Sequence, residues 1–97
     1  MRHVEFHPAA RAEFLAAIRF CDERTADLRD QFVAAVEATA FRVAKYPNSG
    51  RPFGRHFRRA LVPRFPYGLI YRVKPTRVRI VSVFHLRRRP RSWPGRV

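Results

Sequence analysis

The sequence predicts an α+β domain of order β-α-α-β-β-β, with an αα-hairpin packed on one face of a small, mainly antiparallel sheet. Three observations carry this. Between residues 9 and 46 apolar residues recur at helical spacing. After residue 56 the period changes to two. Clusters of Pro, Gly, Asn and Ser stand between the two regimes and inside the second. Helices that must bury a stripe and strands that must bury a face can satisfy each other only by packing in two layers.

The elements follow in order. In "RHVEFH", Val4 and Phe6 alternate with His3, Glu5 and His7, which reads as a short half-buried strand. Pro8 suits the first turn of a helix, where its missing N–H costs nothing. In the Ala-rich stretch that follows, Phe14, Ala17, Ile18 and Cys21 share one face. Thr25 is placed to cap a second helix, whose stripe is Leu28, Phe32, Ala35, Val36, Thr39 and Val43. "YPNSG" stops it, and the two helices form an antiparallel hairpin. "FRRALV", "YGLIYRV" and "VRIVSVFHL" are three strands of a meander, separated by "PRFP" and "KPTR". Strict alternation puts Tyr67, Leu69, Tyr71 and Val73 on one face of the middle strand. It puts Val78, Ile80, Ser82 and Phe84 on one face of the last strand, with Arg79, Val81, Val83 and His85 on the other. The Leu69/Tyr71/Ile80/Phe84 face is the more apolar and is assigned to the helices. Arg72, Arg79 and His85 then project from an open, partly apolar and basic face.

The chain of 97 residues is read as a single domain over 1–97, with residues 87–97 as a basic C-terminal segment. Such a length buries about 60–70% of its unfolded surface, so the core is modest. An apolar content of 46% with nine Phe supports a packed globule. No apolar run reaches the ~18 residues of a membrane helix, and the first residues have no signal-peptide core. The lone Cys21 cannot form an internal disulfide and reads as a small buried hydrophobe, which points to a reducing cytoplasm.

Charge is distributed unevenly. Net charge is +14. All seven acids lie in residues 1–37, which carry a net −2, whereas residues 38–97 hold sixteen basic residues and no acid. Sixty residues without a carboxylate cannot neutralise themselves, so this half is expected to attract polyanions or an acidic protein. Nineteen of the 21 basic residues are Arg, a preference that base composition of the genome also influences.

Several chemistries are disfavoured. His3 and His7 share a strand face but lie about 13 Å apart at ~3.3 Å per residue, too far to share an ion. No CxxC, helical HxxxH, Gly-rich phosphate loop or GxSxG elbow occurs, so neither metal nor cofactor is expected. The helices are Ala-rich and carry the acids, unlike a DNA-recognition helix. Arg58, Arg59, Arg64, Arg72, Arg79, Arg87, Arg88 and Arg89 are candidates for binding phosphate or carboxylate bidentately. Trp93 either stacks on a base or folds back on the sheet as an anchor, the second being the commoner use of such a residue.

The order and spacing of "VEFHPAARAEF", "YPNSGRP", "RRALVPRFPYGLIYRV" and "RIVSVFHLRRRPRSW" resemble the RelE/ParE superfamily of toxins from bacterial toxin–antitoxin pairs. The resemblance spans nearly the whole chain. It implies a cognate acidic antitoxin that wraps the basic surface in a hetero-oligomer and supplies most of the DNA contact. It also implies one of two targets. ParE-like members poison DNA gyrase, and RelE-like members cleave messenger RNA on the ribosome. In the nuclease branch an Arg commonly precedes the "LVY"-like triplet of the central strand. Here that triplet is Leu69-Ile70-Tyr71 and Gly68 precedes it. "FPY" at residues 65–67 also looks like the ParE branch, which is therefore the expectation. A nuclease would need a base, and His85 is the residue that matches one, with Arg72, Arg79 and Arg87 stabilising the phosphate. A member that only binds its antitoxin is the third reading.

Overall fold

A computed structural model describes residues 1–90 and 93–97; Arg91, part of the expected basic segment, lies outside the described residues. The elements are β1 (His3–Phe6), α1 (Pro8–Asp22), α2 (Ala26–Lys45), β2 (Arg51–Pro52), β3 (Arg58–Val62), β4 (Tyr67–Val73) and β5 (Arg77–His85). Short 3₁₀ turns occupy Pro47–Ser49 and Trp93–Gly95. This is the α+β arrangement read from the sequence, with one addition: the two-residue strand β2, too short to leave a periodic signal.

Local chemistry sets the helix ends. The Nδ1 of His7 accepts from Ala9 N (3.0 Å) ahead of Pro8, so a neutral imidazole starts α1. Thr25 Oγ1 accepts from Leu28 N (2.9 Å) and starts α2. Both helices lie on one side of a five-stranded sheet ordered β1-β5-β4-β3-β2. The β3-β4-β5 meander is antiparallel, while β1 joins the edge parallel to β5, pairing His3–Phe6 with Arg77–Ile80. Phe32 of α2 sits at the centre of the main core. Its ring lies 6.0 Å from Phe14, 5.2 Å from Phe65 and 5.0 Å from Tyr67. Tyr71 is fully buried, and its hydroxyl is satisfied by donating to Pro47 O (2.7 Å) and accepting from Gly50 N (3.0 Å).

The expected faces of β5 hold for Val78 and Ile80 and fail beyond them. Tyr71 pairs with Ile80, but Ile70 pairs with Ser82, so Val81 is an extra residue in the ladder. A β-bulge of this kind turns every later side chain to the opposite face. Val83, not Phe84, therefore packs under the helices, and Phe84 joins Phe57, Ile70 and Val81 in a second cluster on the other face. The same slip carries His85 to the helix side, where its ring meets Tyr67 edge-on at 5.2 Å. The other face is also less open than expected. The β2–β3 loop and the C-terminal segment lie across it, bringing Phe53 and Trp93 onto the second cluster. Among the described residues, no helix is long and apolar enough to cross a membrane.

Candidate partner-binding surface

Two regions gather the basic residues. The first is the sheet face turned away from the helices. Trp93 is seated there between Phe53 (5.2 Å) and Phe57 (4.9 Å, edge-on), above Gly54. Gly54 has φ +76°, and a Cβ there would come within 2.5 Å of the indole. Only glycine both adopts this turn and leaves the ring its place. Arg59 lies 5.4 Å above Phe53, and Arg72 lies 6.0 Å from Phe57, at cation–π distance. Aromatic rings thus hold two guanidinium groups beside the seat of the tryptophan.

Arg79 shares this face but is already engaged. Its Nη1 donates to Glu5 Oε1 (2.7 Å) and its Nε to Val97 O (3.2 Å), while Arg77 Nε donates to the same Glu5 oxygen (2.9 Å). The Arg79 hydrogen bond, with Arg77 beside it, holds the Glu5 carboxyl below its usual range against the opposing effect of desolvation. Here the expectation of a wholly uncompensated basic half is corrected. Carboxylates of the first 37 residues reach across the fold to it, because β1 and α1 lie against β5.

The second region is a groove of about 590 Å³ between α1 and the end of β5. Ala9, Ala12, Ala16 and Phe20 form one wall, with Tyr67, Val83 and His85 opposite and Arg88 and Arg89 on the rim. Its inner end is built by a pair that the sequence did not reveal. Glu13 Oε1 accepts from Val83 N (3.1 Å) and from Arg96 Nη1 (2.9 Å), and Arg96 Nη1 also reaches Val81 O (2.9 Å). The two side chains join residues 83 positions apart and satisfy backbone groups that the bulge leaves without a strand. Near this junction, burial lowers the His7 pKa, and Arg79 and Arg96 lower it further while Glu13 opposes them.

The expected site residues therefore divide. Arg59, Arg72, Arg79 and Trp93 come together on the face away from the helices. His85, Arg88 and Arg89 belong to the groove. Arg58 faces the helix side and pins the loop after α2, donating to Gly50 O (2.8 Å) and Asn48 O (3.4 Å). Arg64 stands apart in the exposed β3–β4 turn at φ 69°. His85 Nδ1 accepts from Arg87 N (3.1 Å) and His85 O from Arg88 N (3.0 Å), so this residue shapes the turn that displays Arg87 and Arg88. Among the described residues, no cluster of three or more His, Cys, Asp or Glu is arranged to hold a metal ion.

Comparison with known proteins bears on what such surfaces belong to. The family described as "ParE toxin of type II toxin-antitoxin system, parDE" matches residues 4–90. The chain belongs to the ParE toxin family. Its fold is that of a solved structure titled "Chromosomal ParDE TA system from P. aeruginosa", with a TM-score of 0.75. The alignment covers 88% of this chain and 96% of that one at 17% identity. No curated protein sequence matches. For a ParE toxin, the partner implied by the family is an antitoxin. The Glu13–Arg96 pair, the Phe53/Phe57 socket and the bulge are the features that sequence reading missed. Only the doublet of phenylalanines around Gly54 offered a signal.

Proposed function

We propose that this ParE toxin acts in the cytoplasm by binding and inhibiting DNA gyrase, and that a cognate acidic antitoxin neutralises it by covering the basic surface. The carrying observation is the separation of the groups a nuclease would need. His85 faces the helix side of the sheet and packs on Tyr67, whereas Arg72 and Arg79 occupy the opposite face. Arg79 is moreover paired with Glu5. Cleavage through the 2′-hydroxyl requires a base and charge stabilisation converging on one phosphate. Together with Gly68 in place of the arginine of the nuclease branch, this favours a toxin that acts by binding a protein.

The test is supercoiling of relaxed plasmid by purified gyrase. Added protein is expected to slow it, and the acidic product of the neighbouring reading frame to restore it. No effect on gyrase over a wide concentration range overturns the target. If the protein instead cleaves messenger RNA on translating ribosomes, and His85→Ala abolishes toxicity while antitoxin binding persists, the nuclease reading replaces it.

A further inference from the structure

On the sheet face turned away from the helices, arginines stand opposite arginines. Arg51 of β2 pairs with Arg59 of β3, and Arg72 of β4 pairs with Arg79 of β5. Cross-strand partners share a face, and Arg59 and Arg72 belong to this one through Phe53 and Phe57. Arg59 pairs with Ile70, two residues before Arg72. Arg59 and Arg72 are therefore diagonal neighbours, about 7–8 Å apart. The four arginines form a stripe across four adjacent strands, reaching about 14 Å at ~4.8 Å per strand. Like charges directly opposite one another destabilise a sheet. Glu5 relieves only Arg79, at one end of the stripe. Among the described residues, Arg51, Arg59 and Arg72 form no salt bridge. A rule of pairing broken without internal compensation is characteristic of a functional site.

We propose that this stripe grips the phosphodiester backbone of duplex DNA, with Arg51, Arg59 and Arg72 each taking a phosphate. A guanidinium fork matches phosphate geometry. The Phe53 and Phe57 rings hold two of the three forks in place, which lowers the cost of ordering them on binding. The same rings argue against a single strand, whose bases stack on open aromatic faces. Here Arg59 lies over Phe53, Arg72 flanks Phe57, and Trp93 rests against both rings. Both helices pack on the other side of the sheet, so neither can enter a major groove from this face. The contacts are then to phosphates, and binding is independent of base sequence. A DNA strand presents a row of charges of one kind, the stripe in opposite sign. An acidic protein intersperses its carboxylates with other groups. That the DNA met in the cell is a segment held by gyrase rests on the proposed function; the contact with phosphates does not.

The probe is a fluorescently labelled DNA duplex of about 20 base pairs, two helical turns. Its binding to the full chain is followed by anisotropy between ~50 and ~200 mM salt. Three phosphate contacts give a slope of log K against log salt of about −2.7, at −0.9 per contact. Arg51→Gln/Arg59→Gln/Arg72→Gln is expected to lose most of that slope and to bind about a hundredfold or more weaker near ~0.1 M salt. Arg11→Gln/Arg19→Gln/Arg42→Gln removes the same charge from exposed helix positions. It is expected to weaken binding less than about fivefold, through net charge alone. Circular dichroism checks the fold of each variant. If the stripe triple does not fold, the three single variants replace it, each lowering the slope by about 0.9. Equal weakening by the two triples, tighter binding of the single strand than of the duplex, strong preference among duplex sequences, or no binding at low salt each overturns the proposal. So does a stripe variant that keeps DNA binding and loses binding to DNA-free gyrase, which assigns the stripe to an acidic protein. DNA binding is measured without gyrase, so its failure leaves gyrase inhibition standing, and a failure to slow supercoiling leaves the stripe standing.

Discussion

Replacing Gly54 with alanine tests how the C-terminal segment is held. Gly54 sits at φ +76°, and its added Cβ would stand 2.5 Å from the Trp93 ring. The backbone contribution is the left-handed conformation itself, about 1–2 kcal/mol for a residue with a Cβ. The packing contribution depends on the indole. It contacts Phe53 at 5.2 Å and Phe57 at 4.9 Å, and each such aromatic pair contributes about 0.5–1.5 kcal/mol beyond area burial. If the ring shifts within its socket, one pair is weakened and the loss is about 2 kcal/mol. If it leaves, both pairs go and the loss approaches about 4 kcal/mol. Trp93 is the single tryptophan, so one urea titration followed by fluorescence reads both stability and the seat of the ring. Gly54→Ala is expected to lower the midpoint and to shift native emission toward that of a solvated indole. Trp93→Ala in the same assay, followed by circular dichroism, should show a loss of at least the packing share. A Gly54→Ala protein with unchanged emission and a loss under ~0.5 kcal/mol would refute the socket as the anchor.

Three further outcomes follow from the same structure. Glu13→Ala and Arg96→Ala should each cost about 1–3 kcal/mol by stranding Val83 N or Val81 O, and the double variant should cost about 1 kcal/mol less than the sum in denaturant titrations; full additivity would mean that the clasp contributes nothing as a pair. His7 must be neutral to cap α1, and its pKa is lowered from the ordinary 6.5 by burial, then by Arg79 and Arg96. The stability it contributes is therefore full above pH ~6.5 and lost as pH falls from there toward the folded value, with the Glu5 contribution lost separately below 4.5. His7→Asn keeps an acceptor and should flatten the upper step in thermal melts across pH; an unchanged slope would remove His7 from the account. Tyr71→Phe should cost about 2 kcal/mol by leaving Gly50 N and Pro47 O unbonded in a buried site, measured by chemical denaturation.

Local and periodic signals were legible in the chain. Thr25 as a cap, Pro8 at a helix start, the Phe32–Val43 stripe and the buried Tyr71 depend on residues within a turn or two of each other. Their chemistry acts whatever the rest of the fold does. The ParE-family resemblance was legible for the same reason, because it is carried by the order of those local elements. The basic character of the last sixty residues was equally plain, but which arginines are free was not. Arg58 and Arg79 carry the same charge as Arg59 and Arg72, and only their neighbours in space show that the first pair is bound to loop carbonyls and to Glu5.

The faces of β5 mark the boundary most clearly. Alternation along "VRIVSVFH" is a property of the sequence, and it puts Val78 and Ile80 correctly. The bulge at Val81 is not written in that pattern. It exists where Glu13 of α1 and Arg96 of the C-terminal segment accept and donate the backbone bonds that a regular ladder would have used. Those partners lie 70 and 15 residues away. One extra residue then exchanges Phe84 for Val83 in the core and moves His85 from the basic face to the groove. By itself the sequence determined the helices and the four longer strands, their order and the charge of the surface, because these arise from neighbours along the chain. The tertiary structure alone decided the register beyond Ile80 and the socket of Trp93, because each depends on where distant segments come to rest.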